Sequence, residues 1–414
     1  MDNPTVAVVG LGYIGLPTAA ILAKQGIRVI GVEVSQERVD VINSGRAPFV
    51  EPALEEVLVA TVKAGKLSAT TEMPHADVYI LAVPTPFKGD HEADLSYVKD
   101  ASEAVAPQLV GDELVILEST SPPGTTEKVA EYILAKRPDL SFDGADGKPI
   151  IHFAHAPERV LPGRIMVELI SNDRIIGGMT REASERARDL YATFCTADLH
   201  LTDAKTAEMA KLTENSFRDV NIAFANELSI ICERLGIDVW ELIELANKHP
   251  RVNILQPGPG VGGHCIAVDP WFIVSAAPEE AQLIHTARLV NDGKPDHVLA
   301  KVADALSGSD APVIAALGLA FKPDIDDLRE SPALSITRTL AERMPHATIL
   351  AVEPHVDELP PRLAEMGNVS LAETRDALDR ADLVLLLVDH TDFKQIDRAS
   401  LGDKPVIDTR GMWR

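Results

Sequence analysis

The stretch Val6-Ala-Val-Val-Gly-Leu-Gly-Tyr-Ile-Gly15 joins a short apolar run to three glycines in the pattern G-x-G-x-x-G. A helical pattern, Leu16–Lys24, follows it, and a second apolar run, Arg28–Val34, comes next and contains the acid Glu33. A lone G-x-G-x-x-G is a weak signal. Its position between a strand and a helix, with an acid eighteen residues past Gly15, predicts a dinucleotide-binding βαβ unit.

The glycines and the acid also indicate which dinucleotide binds. Glycines without side chains let a pyrophosphate approach the turn, where the helix N-terminus offers amide groups and partial positive charge. A carboxylate at Glu33 would bind the adenosine ribose hydroxyls and repel a 2′-phosphate, which favours NAD over NADP. Arg38 leaves binding of NADP open.

Two further predicted strands, Val78–Val83 and Leu114–Leu117, each run into a loop rich in proline and hydroxyl groups. Ligands of open parallel sheets bind beyond the carboxyl ends of the strands, so Thr85 and Thr120 can contact the cofactor or the reacting carbon. Ordinary Ser/Thr turn chemistry is the alternative for either residue. The residues predicted to bind the cofactor are Gly10, Gly12, Tyr13, Ile14, Gly15, Glu33, Arg38, Thr85 and Thr120.

A glycine- and proline-rich stretch, Gly258–Trp271, has Cys265 near its centre. Its composition predicts a backbone shaped by turns, with neither a regular helix nor a strand. A thiol in such a loop has the setting of a nucleophile, and Asp269 could orient a water beside it. The alternative is a buried, inert cysteine. We exclude a metal at His264 and Cys265 because no second ligand has metal spacing.

A long helix is predicted from Asp203 to about Leu235, since this range contains neither proline nor glycine. Lys211, Asn215 and Arg218 share one face of it, which either lines a cleft or is simply solvated. Upstream, Glu158 follows a predicted strand on a proline-braced loop, where it is either a general base or a surface acid.

A second α/β unit begins with the apolar run Val313–Leu317, and strands are predicted at 347–352, 383–388 and 405–408, without a second G-x-G-x-x-G. Helices are predicted near 279–291 and 295–307. We therefore expect an α/β protein with two Rossmann-like doubly wound domains joined by a long central helix. The predicted domains are an NAD-binding domain at 1–202, a central helical domain at 203–308 and a second α/β domain at 309–414. In the last of these, Lys322, Arg329 and Arg410 supply the positive charge that a sugar nucleotide diphosphate would need.

Composition narrows the class of partner. The net charge of −24, from 63 acids and 39 bases, argues against nucleic acid or an anionic membrane as partner. No apolar run approaches membrane-spanning length and the first residues do not resemble a signal peptide, so we expect a cytoplasmic protein. Three widely spaced cysteines do not form a disulfide framework.

Taken together, the motifs resemble the UDP-glucose/GDP-mannose dehydrogenase family over essentially the whole chain. The resemblance rests on residues 10–15, Glu118–Gly124, Ala156–Arg159, Lys211-x-x-x-Asn215, Gly262–Asp269 and Phe321–Ser331. It implies a four-electron oxidation of a sugar C6 hydroxyl to a carboxylate, with two NAD and a thioester on Cys265. The catalytic residues that it implies are Cys265, Lys211, Asn215, Asp269, Glu158 and Thr120.

The resemblance also implies a substrate and an assembly. The sequence departs from the glucose-specific branch at Arg159-Val160 and between Arg251 and Cys265, which favours an N-acetylated sugar. The stretches 157–163, 213–221 and 253–260 resemble the branch that acts on UDP-N-acetyl-D-mannosamine, which is therefore the implied substrate. In relatives the arginine matching Arg251 reaches a neighbouring subunit's site, which implies at least a homodimer built on the long helix. The implied substrate-binding residues are Arg159, Val160, Lys211, Asn215, Arg218, His249, Arg251, Gly262, Phe321, Lys322, Arg329 and Arg410.

Three alternatives stay open at this level. The first is the same chemistry on UDP-N-acetylglucosamine or UDP-N-acetylgalactosamine, because sequence is a weak guide to the stereochemistry of one hydroxyl. The second is a two-electron dehydrogenase of the β-hydroxyacid type, which lacks the cysteine loop and the second α/β domain. The third is a catalytically silent sensor of NAD or sugar nucleotides, which the intact Cys265, Lys211 and Asn215 disfavour.

Overall fold

The computed structural model describes residues 3–89, 91–161, 163–263 and 265–413. The chain divides into two compact units, Met1–Glu214 and Asn215–Arg414. Each unit is built around a twisted, mainly parallel sheet with helices on its faces, so the predicted α/β class and the two Rossmann-like folds are confirmed.

Within the described part of the first unit, eight strands form one sheet in the order β10-β9-β8-β7-β4-β1-β2-β3. Its neighbours pair in parallel except β8 with β9, and β5 and β6 form a separate hairpin. The strands of the first unit are β1 Thr5–Val9, β2 Arg28–Val32, β3 Leu67–Thr70, β4 Val78–Leu81, β5 Phe87–Lys88, β6 Glu92–Ala93, β7 Leu114–Leu117, β8 His152–His155, β9 Arg174–Gly178 and β10 Leu199–Asp203.

Helices pack on both faces of this sheet, and the run β3-β2-β1-β4-β7-β8 has the strand order of a dinucleotide-binding fold. The helices of the first unit are α1 Gly15–Lys24, α2 Gln36–Asn43, α3 Leu54–Lys63, α4 Ser96–Val105, α5 Thr125–Lys136, α6 Ile165–Ser171 and α7 Arg181–Tyr191. A further helix, α8 (Ala204–Leu235), runs on into the second unit.

The apolar strands explain why this sheet is parallel and central. Every residue of β4 and of β7 is buried, which requires cover on both faces, and parallel sheets have that cover. One face packs on a cluster that includes Leu16 and Ile21 of α1, and the other on a cluster that includes Val98 of α4. Each fully buried Leu, Ile or Val contributes roughly 1.5–3 kcal/mol.

The second unit repeats the design on a smaller scale. Its five described strands are all parallel, in the order β13-β12-β11-β14-β15. These strands are β11 Val313–Leu317, β12 Thr348–Val352, β13 Val369–Leu371, β14 Leu383–Leu386 and β15 Val406–Asp408. The helices are α9 Val239–Ala246, α10 Asp269–Ala276, α11 Gln282–Ala305, α12 Pro332–Arg343, α13 Pro361–Ala364 and α14 Thr374–Arg380.

Local signals set several helix ends. Asp238 caps α9, since its Oδ1 accepts from the Trp240 and Glu241 amides at 2.8 and 3.0 Å. Ser331 caps α12 by accepting from the Leu334 amide at 3.2 Å, and Pro332 occupies the first turn. Both arrangements are typical of helix starts in which a side-chain oxygen replaces the missing carbonyl.

Two details of the sequence prediction were wrong. The two helices predicted near 279–291 and 295–307 form one helix, α11, which contains Pro295. A proline inside a helix removes one hydrogen bond and strains one turn, and buried residues on both sides of Pro295, Asn291 and Val298, hold the helix together. The stretch Gly258–Trp271 is also not irregular throughout, because α10 begins at Asp269 with Pro270 in its first turn.

The helices were also searched for a membrane span. Within the described ranges, no helix combines the length and the apolar character that crossing a membrane would require.

Candidate active site

The fingerprint turn between β1 and α1 fits a bound pyrophosphate. Gly10 has a φ of 93°, and a Cβ there would lie 2.6 Å from the Ala82 carbonyl oxygen. A Cβ on Gly15 would overlap the Gly10 carbonyl oxygen, whereas one on Gly12 meets nothing within 4 Å. The first and third glycines are therefore required by close packing, while Gly12 borders open space that a phosphate group can occupy. Tyr13 is 41% exposed beside this turn.

The predicted ribose-binding acid lies directly after β2. Glu33 is buried, accepts from the Ser35 amide at 3.3 Å and lies 3.6 Å from the guanidinium of Arg38. Glu33 and Arg38, the two charged residues that the sequence analysis named at this position, therefore form an ion pair with each other. Arg38 holds the carboxylate in place at the carboxyl edge of the sheet.

The loops after β4 and β7 are tied together at the same edge. The Thr85 hydroxyl donates to the Thr120 carbonyl oxygen at 2.6 Å. The loop that carries Thr120 is fixed further along by Glu208 of α8, which accepts from the amide of Thr126 at 2.7 Å and from its hydroxyl at 2.6 Å. The Thr126 amide belongs to the first turn of α5. Glu208 thus supplies the cap that α5 otherwise lacks.

On the first unit's stretch of α8, Lys211 pairs with Glu158. The Lys211 ammonium lies 3.5 Å from Glu158 Oε1, and both side chains are about nine-tenths buried. Glu158 Oε2 accepts from the Val160 amide at 2.9 Å. Breaking a buried pair of this kind typically costs about 3–5 kcal/mol, because the remaining charge is left uncompensated. The structure therefore brings together two of the predicted catalytic residues and one predicted substrate residue, Val160.

The neighbouring Arg159 has partners of its own. Its guanidinium lies 2.7 Å from Glu214 Oε1 and donates to the Asp173 carbonyl oxygen at 3.1 Å. Its proposed contact with substrate would have to compete with this ion pair.

In the second unit, the cysteine loop is joined to α8 through a carboxylate. Cys265 is exposed, and its carbonyl oxygen accepts from the Asp269 amide at 2.9 Å. The Asp269 carboxylate is buried and accepts from the Asn215 side-chain amide at 2.5 Å. Asn215 is four residues beyond Lys211, so the two lie on one face of α8, one turn apart. His264, beside Cys265, lies outside the described residues.

A buried polar network that the sequence did not reveal holds the start of this loop. Asn226 of α8 accepts from the Gly258 amide at 2.9 Å and donates to Asn291 Oδ1 at 2.8 Å. Asn291 donates to Asp219 at 2.8 Å, and Asp219 accepts from Arg288 at 2.6 Å. The side chains of these four network residues are all buried, and burial raises the pKa of Asp219. The network anchors the loop to α8 and α11.

Aromatic packing fixes the glycines before Cys265. A Cβ on Gly262 would lie 3.0 Å from the Phe321 Cβ, and one on Gly263, at a φ of 82°, would lie 3.1 Å from the Phe321 ring. The Phe321 side chain thus packs on the loop backbone, which only glycine permits at this distance.

The remaining predicted substrate residues of this unit are partly tied to acids. Arg329 binds Asp327 through two nitrogens at 2.8 and 2.6 Å, and Arg410 donates to Asp389 at 2.7 Å. Two further predicted substrate residues are joined by a hydrogen bond, in which His249 Nδ1 accepts from the Arg251 amide at 3.3 Å. The exposed residues are Arg218, His249, Arg251 and Lys322.

In the second Rossmann-like sheet, the acid that corresponds in position to Glu33 is already bonded to other protein groups. Glu353 follows β12 as Glu33 follows β2, but it accepts from the Leu319 and Ala320 amides at 2.7 and 3.0 Å. It also lies 3.2 Å from His390 Nε2. These bonds use the carboxylate and the turn amides that a dinucleotide would need, so this sheet is unsuited to a second NAD.

Another cluster that sequence reasoning missed lies behind the cofactor loops. Arg174 is buried, contacts Glu118 at 3.1 Å, donates to the Ala156 carbonyl oxygen at 3.1 Å and lies over the Tyr191 ring at 4.2 Å. Burial raises the pKa of Glu118, and the Arg174 charge offsets part of that effect. Arg174 thereby fixes the loops that carry Thr120 and Glu158. No local pattern marks it, because its partners come from other strands.

Comparison with known proteins identifies the family. Models of the UDP-glucose/GDP-mannose dehydrogenase family match residues 4–195 as the NAD-binding domain, 205–293 as the central domain and 315–414 as the UDP-binding domain. The chain belongs to the UDP-glucose/GDP-mannose dehydrogenase family. This confirms the resemblance found in the sequence, and the protein is an NAD-dependent oxidoreductase of UDP-sugars.

Members of this family with high similarity differ in the sugar named. The UDP-N-acetyl-D-mannosamine dehydrogenase of Yersinia pestis is 56% identical, and the match covers 100% of both chains. The NDP-N-acetyl-D-galactosaminuronic acid dehydrogenase of Ralstonia nicotianae is also 56% identical, over 100% of this chain and 97% of that one. The structure of UDP-D-ManNAc dehydrogenase from Pyrococcus horikoshii has a TM-score of 0.86 at 39% identity, covering 99% of this chain and 96% of that one.

Proposed function

We propose that this chain oxidises UDP-N-acetyl-D-mannosamine at C6 to UDP-N-acetyl-D-mannosaminuronate, in two NAD-dependent steps through a thioester on Cys265. The observation that carries the proposal is the arrangement in the second unit, where Cys265 is exposed one helical turn before a buried Asp269 that is bound to Asn215. An exposed thiol on a glycine turn with an oriented carboxylate and amide has the features of a covalent catalyst.

The chemistry balances with one water. One C6 alcohol, two NAD and one water give one carboxylate, two NADH and three protons. The fingerprint turn with Gly10, Gly12 and Gly15 would hold NAD, which would supply the hydride acceptor for each oxidation at C6. The first oxidation gives the aldehyde, to which the Cys265 sulfur adds. The second converts the thiohemiacetal to a thioester, and water then cleaves the C–S bond and restores the thiolate.

Polar residues of α8 are proposed to stabilise the negative oxygen that forms in these additions. Lys211 supplies a positive charge and Asn215 a side-chain amide donor. Lys211 is buried, which strengthens its contribution. Each oxyanion donor is typically worth about 2.7–4 kcal/mol of barrier. Glu158, the partner of Lys211, and Thr120 are proposed to assist the attack of water on the thioester. Asp269 keeps the Asn215 amide oriented.

The proposed cofactor is NAD and not NADP. Glu33 is buried at the carboxyl end of β2 and would accept from both ribose hydroxyls. Its negative charge would repel a 2′-phosphate, and Arg38 is already engaged by the same carboxylate at 3.6 Å.

A homodimer through α8 is part of the proposal. Four large apolar side chains, Phe217, Phe224, Ile231 and Leu235, recur at the spacing of one helix face and are 72%, 51%, 43% and 64% exposed. An exposed apolar stripe of this length favours burial against a second copy. Phe224→Asp should convert the dimer to a monomer in light scattering. A dimer of unchanged stability in that variant would contradict this assembly.

Replacing the cysteine tests the covalent mechanism. Cys265→Ala should release no UDP-sugar acid, measured by anion-exchange chromatography, because no thioester can form. The matched control is Cys195→Ala, which removes a buried thiol of the first unit and should retain two NADH per sugar. Acid formation by Cys265→Ala at the wild-type rate would rule out the thioester.

A second candidate substrate is UDP-N-acetyl-D-galactosamine, favoured by the equally similar Ralstonia relative. The two sugars and UDP-N-acetylglucosamine should be compared by kcat/KM in parallel. We expect the mannosamine epimer to lead by at least tenfold, and a lead by either other epimer would reassign the substrate while leaving the chemistry intact.

A further inference from the structure

A cavity of about 360 Å³ lies within the second unit, where no role has yet been assigned. It is bordered by the C-terminal turns of α8, the start of α9, the middle of α11 and the segment after β15. Its volume is in the range of small-molecule sites.

The cavity contains a buried lysine with unusual surroundings. Lys294 of α11 is 6% exposed and donates to the Ser229 hydroxyl. In the part of the chain that the structure describes, no carboxylate oxygen lies within 4 Å of its ammonium group. A buried cation without a counter-ion is costly, so the site would gain from a bound anion.

The acids that line the same cavity are committed to other groups. Glu233 lies 2.9 Å from His297 and 3.0 Å from Lys301. Asp238 caps α9, and Asp408 accepts from three backbone amides of the C-terminal segment at 2.7 to 2.8 Å. The attraction that Glu233 exerts on Lys294 is opposed by the nearby charge of Lys301, so these acids do not provide Lys294 with a counter-ion of its own.

The walls suit a planar group. Trp240 and Trp413 both line the cavity, so aromatic side chains form part of its wall. Indole faces stack on flat rings with a gain of about 0.5–1.5 kcal/mol beyond area burial. We propose that this cavity is an effector site for a small organic anion carried on a planar ring, with Lys294 and Ser229 binding the anionic group.

The cavity borders two segments that the proposed substrate site uses. Pro257 lines it and precedes Gly258, where a Cβ would lie 2.7 Å from the Arg410 guanidinium. Thr409 and Gly411, on either side of Arg410, also line it. A ligand held here fixes both segments and changes the affinity for the UDP-sugar.

Calorimetric titration with phenyl phosphate tests the site directly, with UDP and NAD present at saturation to occupy the other nucleotide sites. Phenyl phosphate should bind at least tenfold more tightly than inorganic phosphate or phenol. Lys294→Met should weaken it by at least tenfold. The matched control Lys248→Met removes an exposed lysine of the second unit that pairs with Glu244 away from the cavity, and it should change affinity less than threefold.

Protection of Lys294 from chemical modification and the KM for the UDP-sugar are two further measurements of the proposed site. In wild-type protein, phenyl phosphate should protect Lys294 from reductive methylation, read by peptide mass spectrometry, whether or not Lys294→Met folds. It should also change KM for the UDP-sugar at least threefold in wild type and not in Lys294→Met. Absence of binding, equal affinity in Lys294→Met or lack of protection would overturn the site, and an unchanged KM would overturn the effector role.

Discussion

Asn226 links the cysteine loop to the buried network of α8 and α11, so its removal should affect both stability and rate. In Asn226→Ala the Gly258 amide loses its acceptor at 2.9 Å and Asn291 Oδ1 loses its donor at 2.8 Å. Both side chains of the Asn226–Asn291 pair are at most 1% exposed, so the lost partners lie away from bulk solvent. Two orphaned buried groups at about 1–3 kcal/mol each predict a loss of about 2–6 kcal/mol.

Tryptophan fluorescence is suited to this measurement, because Trp240, Trp271 and Trp413, the three tryptophans of the chain, all belong to the second unit. Urea unfolding followed at these residues reports that unit by itself. The control is Asn221→Ala on the same helix. The Asn221 side-chain amide donates to the Phe217 carbonyl one turn earlier, and its removal should change stability by less than about 0.5 kcal/mol.

The rate should fall with the stability, since the loop that starts at Gly258 leads to Cys265. A displacement of the nucleophile by about 1 Å can cost on the order of a hundredfold, and we expect kcat of Asn226→Ala to fall by about ten- to a hundredfold while two NADH per sugar are retained. If Asn226→Ala matches Asn221→Ala in both unfolding and kcat, the network does not position the loop.

Three further predictions concern Lys211, Glu33 and the buried Lys294. Lys211→Ala should lower kcat by at least a hundredfold and change KM far less, because its charge is proposed to act on the oxyanion; steady-state kinetics showing an effect on KM alone would contradict that role. Glu33→Ser should raise kcat/KM for NADP relative to NAD by at least tenfold, since it removes the repelling carboxylate and releases Arg38 at 3.6 Å; an unchanged ratio would show that Glu33 does not read the ribose. Burial lowers the pKa of Lys294 from 10.5 to about 8, so the folded protein binds a proton at Lys294 more weakly than the unfolded chain does. The free energy of unfolding is therefore highest above pH 10.5 and decreases as the pH falls from 10.5 through 8. Wild type should therefore gain about 3 kcal/mol relative to Lys294→Met between pH 8 and 10.5 in urea unfolding, and parallel profiles for the two proteins would contradict the shift.

The fold was readable from the sequence where patterns are local. The fingerprint turn, the long helix and the apolar strands each combine a periodicity with glycine or proline at the ends, and these features predicted two Rossmann-like units. Pro295 shows where such reasoning fails. A proline usually ends a helix, but here buried residues on both sides of it keep α11 continuous.

The site was predicted less completely, for a physical reason. The residues proposed to perform the chemistry lie in recognisable motifs, and the structure places Lys211 against Glu158 and Asn215 against Asp269. Arg174, Glu208 and Asn226 position those motifs. They can be recognised only from their contacts with segments that are distant in the sequence. Arg174 bonds Glu118, 56 residues earlier, and such pairs have no sequence spacing to recognise.

The central claim, a four-electron oxidation, is tested most directly by counting the NADH released per molecule of UDP-N-acetyl-D-mannosamine at limiting sugar and excess NAD. The thioester mechanism predicts two NADH per sugar, with one equivalent of acid. One NADH per sugar, with aldehyde as the product, would contradict the mechanism.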